Sequence, residues 1–275
     1  MNDRRMTPAN GRVAHVTLRG QIAAERFVEG EAASVVRPIA DLLAAPGGAR
    51  DRQLLRGDAV LLLERRDGSA FVQSAKDGYC GYVAEEALGA TITATHWVSA
   101  PATHLYPAAS LKSREISGLS FGARLVISAN HGRFQETDRG EFVPGPHLSP
   151  IEAHMKDPAS VAELFLGTPY LWGGNARAGI DCSGLVQASL LACGIDCPGD
   201  SDLQQRLGAP LAGRDALRRG DLIFWKGHVA LALDADRIIH ANAHRMAVTV
   251  EGTEAAIARI DAQGEGQPTA FRRIL

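Results

Sequence analysis

Asp181-Cys182-Ser183-Gly184 is the stretch of this chain that most limits how it can fold. Ahead of it stands Thr168-Pro169-Tyr170-Leu171-Trp172-Gly173-Gly174, a turn-rich lead with two aromatics and a glycine pair. Behind it, Leu185, Val186, Ser189, Leu190 and Ala192 recur at near-helical spacing. Asp181 suits the N-cap and Gly194 the stop. The order is loop, cysteine, helix, and Cys182 is expected to open the helix. A thiol there faces unpaired backbone N–H groups and the positive end of the helix dipole, which lower its pKa toward a nucleophilic thiolate. The paired glycines let backbone and substrate approach closely. Free cysteines are more often inert packing residues, so a nucleophile needs a partner elsewhere in the chain.

Nine histidines are available, and two stand in short aliphatic runs. His228 opens Gly227-His228-Val229-Ala230-Leu231-Ala232-Leu233, and His240 lies in Arg237-Ile238-Ile239-His240-Ala241-Asn242, with Asp234-Ala235-Asp236 between them. The pattern predicts a β-hairpin. With the turn centred on Asp234, His228 faces His240 directly and the two imidazoles share a face. Val229, Leu231 and Leu233 then point to the other face and supply core. Chemistry assigns the roles: Cys182 as nucleophile, His228 as general base, His240 as the group that orients His228 and stabilises its imidazolium.

Five motifs in this order resemble those of the NlpC-type cysteine peptidases, papain-like cell-wall hydrolases. They are Pro169-Tyr170-Leu171-Trp172-Gly173-Gly174, Asp181-Cys182-Ser183-Gly184, Arg219-Gly220-Asp221-Leu222-Ile223-Phe224-Trp225, Gly227-His228-Val229 and Ile239-His240-Ala241. The resemblance covers roughly residues 155–275. It implies a triad of Cys182, His228 and His240, with Tyr170 beside the thiol as an oxyanion donor. The backbone N–H of Cys182 is a second donor. Asp221 is expected to be structural, since Asp beside Gly is ordinary turn chemistry.

The front half carries a faint internal repeat. Arg56-Gly57-Asp58-Ala59-Val60-Leu61-Leu62 is echoed by Phe121-Gly122-Ala123-Arg124-Leu125-Val126-Ile127, and Gly81-Tyr82-Val83 by Glu141-Phe142-Val143. Short alternating strands with Gly and Asp turns predict two small β-barrels. Asp77-Gly78-Tyr79-Cys80-Gly81-Tyr82-Val83 resembles the closing hairpin of bacterial SH3-like domains. The expected class is α+β: a first barrel within residues 1–95, a second with its linker in 96–150, and a papain-like NlpC-type domain in 151–275. Pro144, Pro146 and Pro150 read as a stiff linker, and residues 1–35 as a strand and a helix around 23–29.

A subgroup of the family shares this order of domains. In it the first barrel caps the cleft, and a barrel tyrosine joins the residues flanking the cysteine to hold a substrate ammonium. That resemblance implies substrate contacts from Asp181, Ser183 and either Tyr79 or Tyr82, and Trp172 is assigned with them. It implies a γ-D-glutamyl-L-diamino acid endopeptidase acting on peptidoglycan-derived peptides with a free N-terminal L-Ala, without a cofactor or metal.

Net charge is −2, from 29 basic and 31 acidic residues, which gives no basic footprint for nucleic acid. No run approaches the ~20 apolar residues of a membrane span. The N-terminal stretch is charged and lacks the apolar core of a signal peptide, and the four cysteines show no disulfide framework. Both features predict a cytoplasmic protein, and with the substrate the resemblance implies, that location points to recycling of imported muropeptides. Three rivals are compatible with the residues: a thiol acyltransferase using the same triad, a zinc site built from Cys182, His228 and His240, and a wall-binding module without activity.

Overall fold

The computed structural model describes residues 3–274. They form two compact units, one up to Ala153 and one from His154 onward.

Short strands dominate the first unit. Seven of them make an antiparallel sheet in the order Arg50–Leu55, Ile39–Leu43, Cys80–Ala84, Ser69–Ser74, Ala59–Arg66, Glu31–Val35, Leu88–Ala90. Alternation along these strands sends Leu42, Leu54, Val60, Leu62, Val72 and Val83 into one core. The sheet is open, with Arg50–Leu55 and Leu88–Ala90 as its edges, and is not a closed barrel. The echo of this pattern between residues 96 and 150 folds into smaller pieces: a three-stranded sheet around His96–Val98, a second around Phe134–Thr137, and the pair Ala102–Leu105 and Ser117–Ser120. Val98, Leu105, Leu119, Leu125 and Val143 fill its own core. The two copies of the repeat meet through the Arg56–Glu141 ion pair and an Arg124 N–H donated to the Arg56 carbonyl.

Two expectations fail here. Residues 23–29 are not helical: Arg26–Val28 is a strand, parallel to Val13–His15. Arg12 and Arg26 both reach the buried carboxylate of Glu64, which ties the two strands to the sheet. The three prolines do not form a linker either. Pro144 ends the strand Phe142–Pro144, Pro146 sits in a 3-10 turn, and Pro150 ends Leu148–Pro150, which pairs with His96–Val98. Those are the positions in a sheet where proline costs least.

The second unit is a six-stranded antiparallel sheet with helices against it. The strand order is Ala209–Pro210, Ala270–Arg273, Leu222–Trp225, His228–Ala232, Arg237–Asn242, Ala247–Gly252. Ile223, Trp225, Ala230, Ala232 and Ile238 pack on one face with Ala256 and Ile260 of the helix Thr253–Ala262. The helix Cys182–Ala192 lies against His228–Ala232 and Arg237–Asn242, where the alternate residues Val229, Leu231 and Ile239 are wholly buried. This helix is buried almost all round, so it carries no clean apolar stripe. Its polar members are satisfied internally: Ser189 donates to the Leu185 carbonyl and Gln187 to the Cys197 carbonyl. Burying Leu185, Val186 and Leu190 stabilises the packing by about 1.5–3 kcal/mol each. No helix among the described residues is long and apolar enough to cross a membrane.

Candidate active site

Cys182 is the first residue of its helix, as the sequence predicts. Asp181 caps it, accepting the Gly184 N–H at 2.6 Å through Oδ1 and the Gly173 N–H at 2.9 Å through Oδ2. The Ser183 hydroxyl donates to the same Oδ1 at 3.0 Å. One buried carboxylate therefore fastens the glycine-rich lead to the helix start. Two glycines make the approach possible. A Cβ on Gly184 would stand 2.4 Å from the Gly174 carbonyl oxygen, and one on Gly174 would stand 2.5 Å from that of Gly179. From below, Gln204 donates to the Ser183 carbonyl at 2.9 Å.

The thiol environment differs from the sequence expectation. Cys182 is 7% exposed, and burial raises its pKa to about 12, helped by the negative charge of Asp181. Backbone N–H groups of Val229, Ser183 and Cys182 act in the opposite direction and do not prevail. A reading confined to the helix end counts these N–H groups and misses both the loss of water and the adjacent carboxylate. The Val229 contact also places the sulfur at the start of the strand that His228 opens.

His228 and His240 meet, with Nε2 of His228 2.9 Å from Nδ1 of His240. Their register is one step from the expected one. Leu231 faces Ile239 and Ala232 faces Ile238, which centres the turn on Ala235. The Asp234 side chain accepts the N–H groups of Asp236 and Arg237, and this lengthens the loop. Continued along the strand, the register sets His240 across from Ala230, so the imidazoles are diagonal neighbours on one face, still within reach of long side chains. Desolvation lowers the His228 pKa to about 3, assisted by His240 and Arg259, while Glu251 opposes the shift. With the thiol shifted up and the imidazole down, both groups rest uncharged at neutral pH.

Behind the histidines stand two residues that sequence reasoning missed. Nε2 of the fully buried His240 lies 3.2 Å from Oε2 of Glu251. Glu251 in turn accepts from Arg259 at 2.9 and 2.7 Å. The alternation Val248-Thr249-Val250-Glu251 signals a strand, but nothing local tells that its glutamate ends beside His240. His240 faces His228 and Glu251 with its two ring nitrogens and leaves neither for a zinc ion shared with Cys182. No cluster of three or more His, Cys, Asp or Glu side chains among the described residues is placed to hold a metal.

Tyr170 and Trp172 line an open cleft of about 850 Å³ together with Lys226, His228, Arg259 and Glu265. Burial and the neighbouring Cys182 and Asp181 raise the Tyr170 pKa, so its phenol stays protonated and able to donate. Trp172 is 70% exposed at the cleft wall. Asp221 is structural: it accepts the Arg218 N–H and pairs with Arg273. The two candidate tyrosines, Tyr79 and Tyr82, separate clearly. Tyr79 is 2% exposed in the core beneath the Arg52 guanidinium, whereas Tyr82 borders a cavity with Arg12, Glu64 and Phe71.

Known proteins resemble this chain. Residues 167–259 match the NlpC/P60 family, and residues 42–88 match a bacterial dipeptidyl-peptidase Sh3 domain. A gamma-D-glutamyl-L-lysine dipeptidyl-peptidase of Bacillus subtilis is 32% identical over 215 residues, which span 69% of this chain and 71% of that protein. Dipeptidyl-peptidase 6 of Lysinibacillus sphaericus is 33% identical over 96 residues, 35% of either chain. The crystal structure of an NlpC/P60 family protein from Bacillus cereus has the same fold, with a TM-score of 0.74 at 21% identity over 89% of this chain and all of that one. The chain belongs to the NlpC/P60 family of cysteine peptidases and carries a bacterial SH3 domain ahead of its peptidase domain.

Proposed function

We propose that this protein hydrolyses the γ-D-glutamyl-L-diamino acid bond of peptidoglycan-derived peptides whose N-terminal L-Ala is free. Cys182 attacks the γ-carbonyl carbon while its proton passes to the ring nitrogen of His228 that is not engaged by His240. Tyr170 and the backbone N–H of Cys182 stabilise the oxyanion. His228 returns the proton to the amine of the departing diamino acid, leaving the dipeptide as a thioester on Cys182. Water then attacks the thioester, His228 takes its proton, and the L-Ala-γ-D-Glu acid leaves as the thiol is restored. Because thiol and imidazole rest uncharged, proton transfer accompanies attack.

The observation that carries this reading is the buried Asp181–Ser183 pair next to the nucleophile. A fixed carboxylate there suits the ammonium of a short peptide. Ser183 spends its proton on Asp181, which keeps its lone pairs for a donor. A desolvated ammonium pair also discriminates strongly against a capped amine. The relatives named gamma-D-glutamyl-L-lysine dipeptidyl-peptidase support the bond class.

The test is incubation with L-Ala-γ-D-Glu-L-Lys, its diaminopimelate analogue and the N-acetylated form of each, with products read by mass. Release of the dipeptide acid from the free-amine peptides alone is expected. Equal cleavage of acetylated and free peptides would refute the ammonium site, and loss of all cleavage from folded protein would refute the substrate. We infer from four cysteines without a disulfide framework that the protein works in a reducing compartment, the cytoplasm, in muropeptide recycling. Recovery of the native protein outside the cytoplasm on fractionation would overturn that placement.

A further inference from the structure

His240 is wholly buried, and its two ring nitrogens face Nε2 of His228 at 2.9 Å and Oε2 of Glu251 at 3.2 Å. Glu251 comes from the strand Ala247–Gly252 and Arg259 from the helix Thr253–Ala262, whose guanidinium grips the carboxylate by two hydrogen bonds. These contacts dictate where the protons sit. A carboxylate paired with arginine can only accept, so Nε2 of His240 must carry a hydrogen. A neutral His240 then has a bare Nδ1, which must accept from Nε2–H of His228. A neutral His228 is left with a bare Nδ1, the form required of a base. Without Glu251, His240 could carry its hydrogen on Nδ1 and donate to His228. That would move the His228 proton to Nδ1 and turn the base into a donor.

We propose that Glu251, held by Arg259, is a positioning residue that sets the tautomers of both histidines and so leaves Nδ1 of His228 free to take the Cys182 proton. The role rests on the triad assigned above. It adds no contact with substrate. When His228 becomes an imidazolium, His240 passes part of the charge to Glu251, and Arg259 keeps that carboxylate from taking a proton itself.

Ring-nitrogen NMR of the ¹⁵N-labelled full chain at neutral pH tests the tautomers with no substrate present. Expected are Nε2–H and bare Nδ1 on both His228 and His240. A Nδ1–H form of either ring, or a doubly protonated His240, would overturn the proposal. Glu251→Ala is expected to lower kcat by about 100-fold with KM within about twofold, and to give a mixed His240 tautomer. Glu251→Gln retains a carbonyl able to accept from His240, so the native tautomers and part of kcat should return. Unchanged kcat in a folded Glu251→Ala protein would overturn the proposal, and so would a fall in kcat with native ring signals. Failure of the substrate reading would appear in the peptide assay and leave the ring signals as expected.

Discussion

Replacing Asp181 with Asn should weaken the fold and make the thiol easier to ionise, two effects that a purely catalytic or purely structural residue would not combine. The carboxylate accepts hydrogen bonds from the N–H groups of Gly184 and Gly173 and from the Ser183 hydroxyl. An amide has one oxygen, so one of the two bonded N–H groups must meet an NH₂ instead. Asn caps a helix about as well as Asp, so the loss is one charge-assisted bond to a buried donor, about 1.5–3 kcal/mol. That is about 5–10 °C in melting temperature for a cooperative unit of this size. Asn also removes the charge that pushes the Cys182 pKa up. The midpoint of Cys182 alkylation by iodoacetamide against pH should therefore fall, by about one pH unit. Urea unfolding and peptide-resolved alkylation read the two effects separately. Unchanged stability, or a midpoint that moves to higher pH, would refute this account of the helix start.

Three further outcomes follow from the same geometry. Gly184→Ala places a Cβ 2.4 Å from the Gly174 carbonyl, with no flexible side chain to yield, and should cost about 2 kcal/mol or more in urea unfolding; wild-type stability would contradict the close approach. His228 is held neutral with its pKa lowered to about 3 from 6.5. Below about pH 6.5 the unfolded chain takes up a proton that the folded one refuses, so stability falls with acidity, by at most about 1.4 kcal/mol per pH unit, until pH nears the folded value. His228→Gln should flatten that slope in a pH series of unfolding curves. Tyr170→Phe should lower kcat by about 10- to 100-fold with little change in KM; a change confined to KM would assign Tyr170 to binding alone.

What the sequence made legible was local. The cap, the helix start and its glycine stop follow from the order Asp181, Cys182, Gly194, and the histidine hairpin from two aliphatic runs. The register missed by one step because the Asp234 side chain takes two backbone N–H groups and lengthens the loop. Glu251, Arg259 and Gln204 were not legible, since each reaches the site by tertiary packing from an element whose own pattern is ordinary. The thiol pKa went astray for a related reason. A helix terminus can be read from four residues, whereas burial depends on the whole unit. Residues 23–29 look helical in isolation, but Glu64, far along the chain, recruits Arg26 into a strand.

In the proposed reaction Cys182 carries the acyl group of a γ-D-glutamyl peptide. Rapid acid quench of the full chain with L-Ala-γ-D-Glu-L-Lys, followed by intact and peptide mass measurement, would trap it. Expected is an L-Ala-γ-D-Glu adduct on the Cys182 peptide that forms before free dipeptide accumulates and is absent in Cys182→Ala. Hydrolysis of the peptide by Cys182→Ala, or an adduct on Cys80, Cys193 or Cys197 instead, would contradict it.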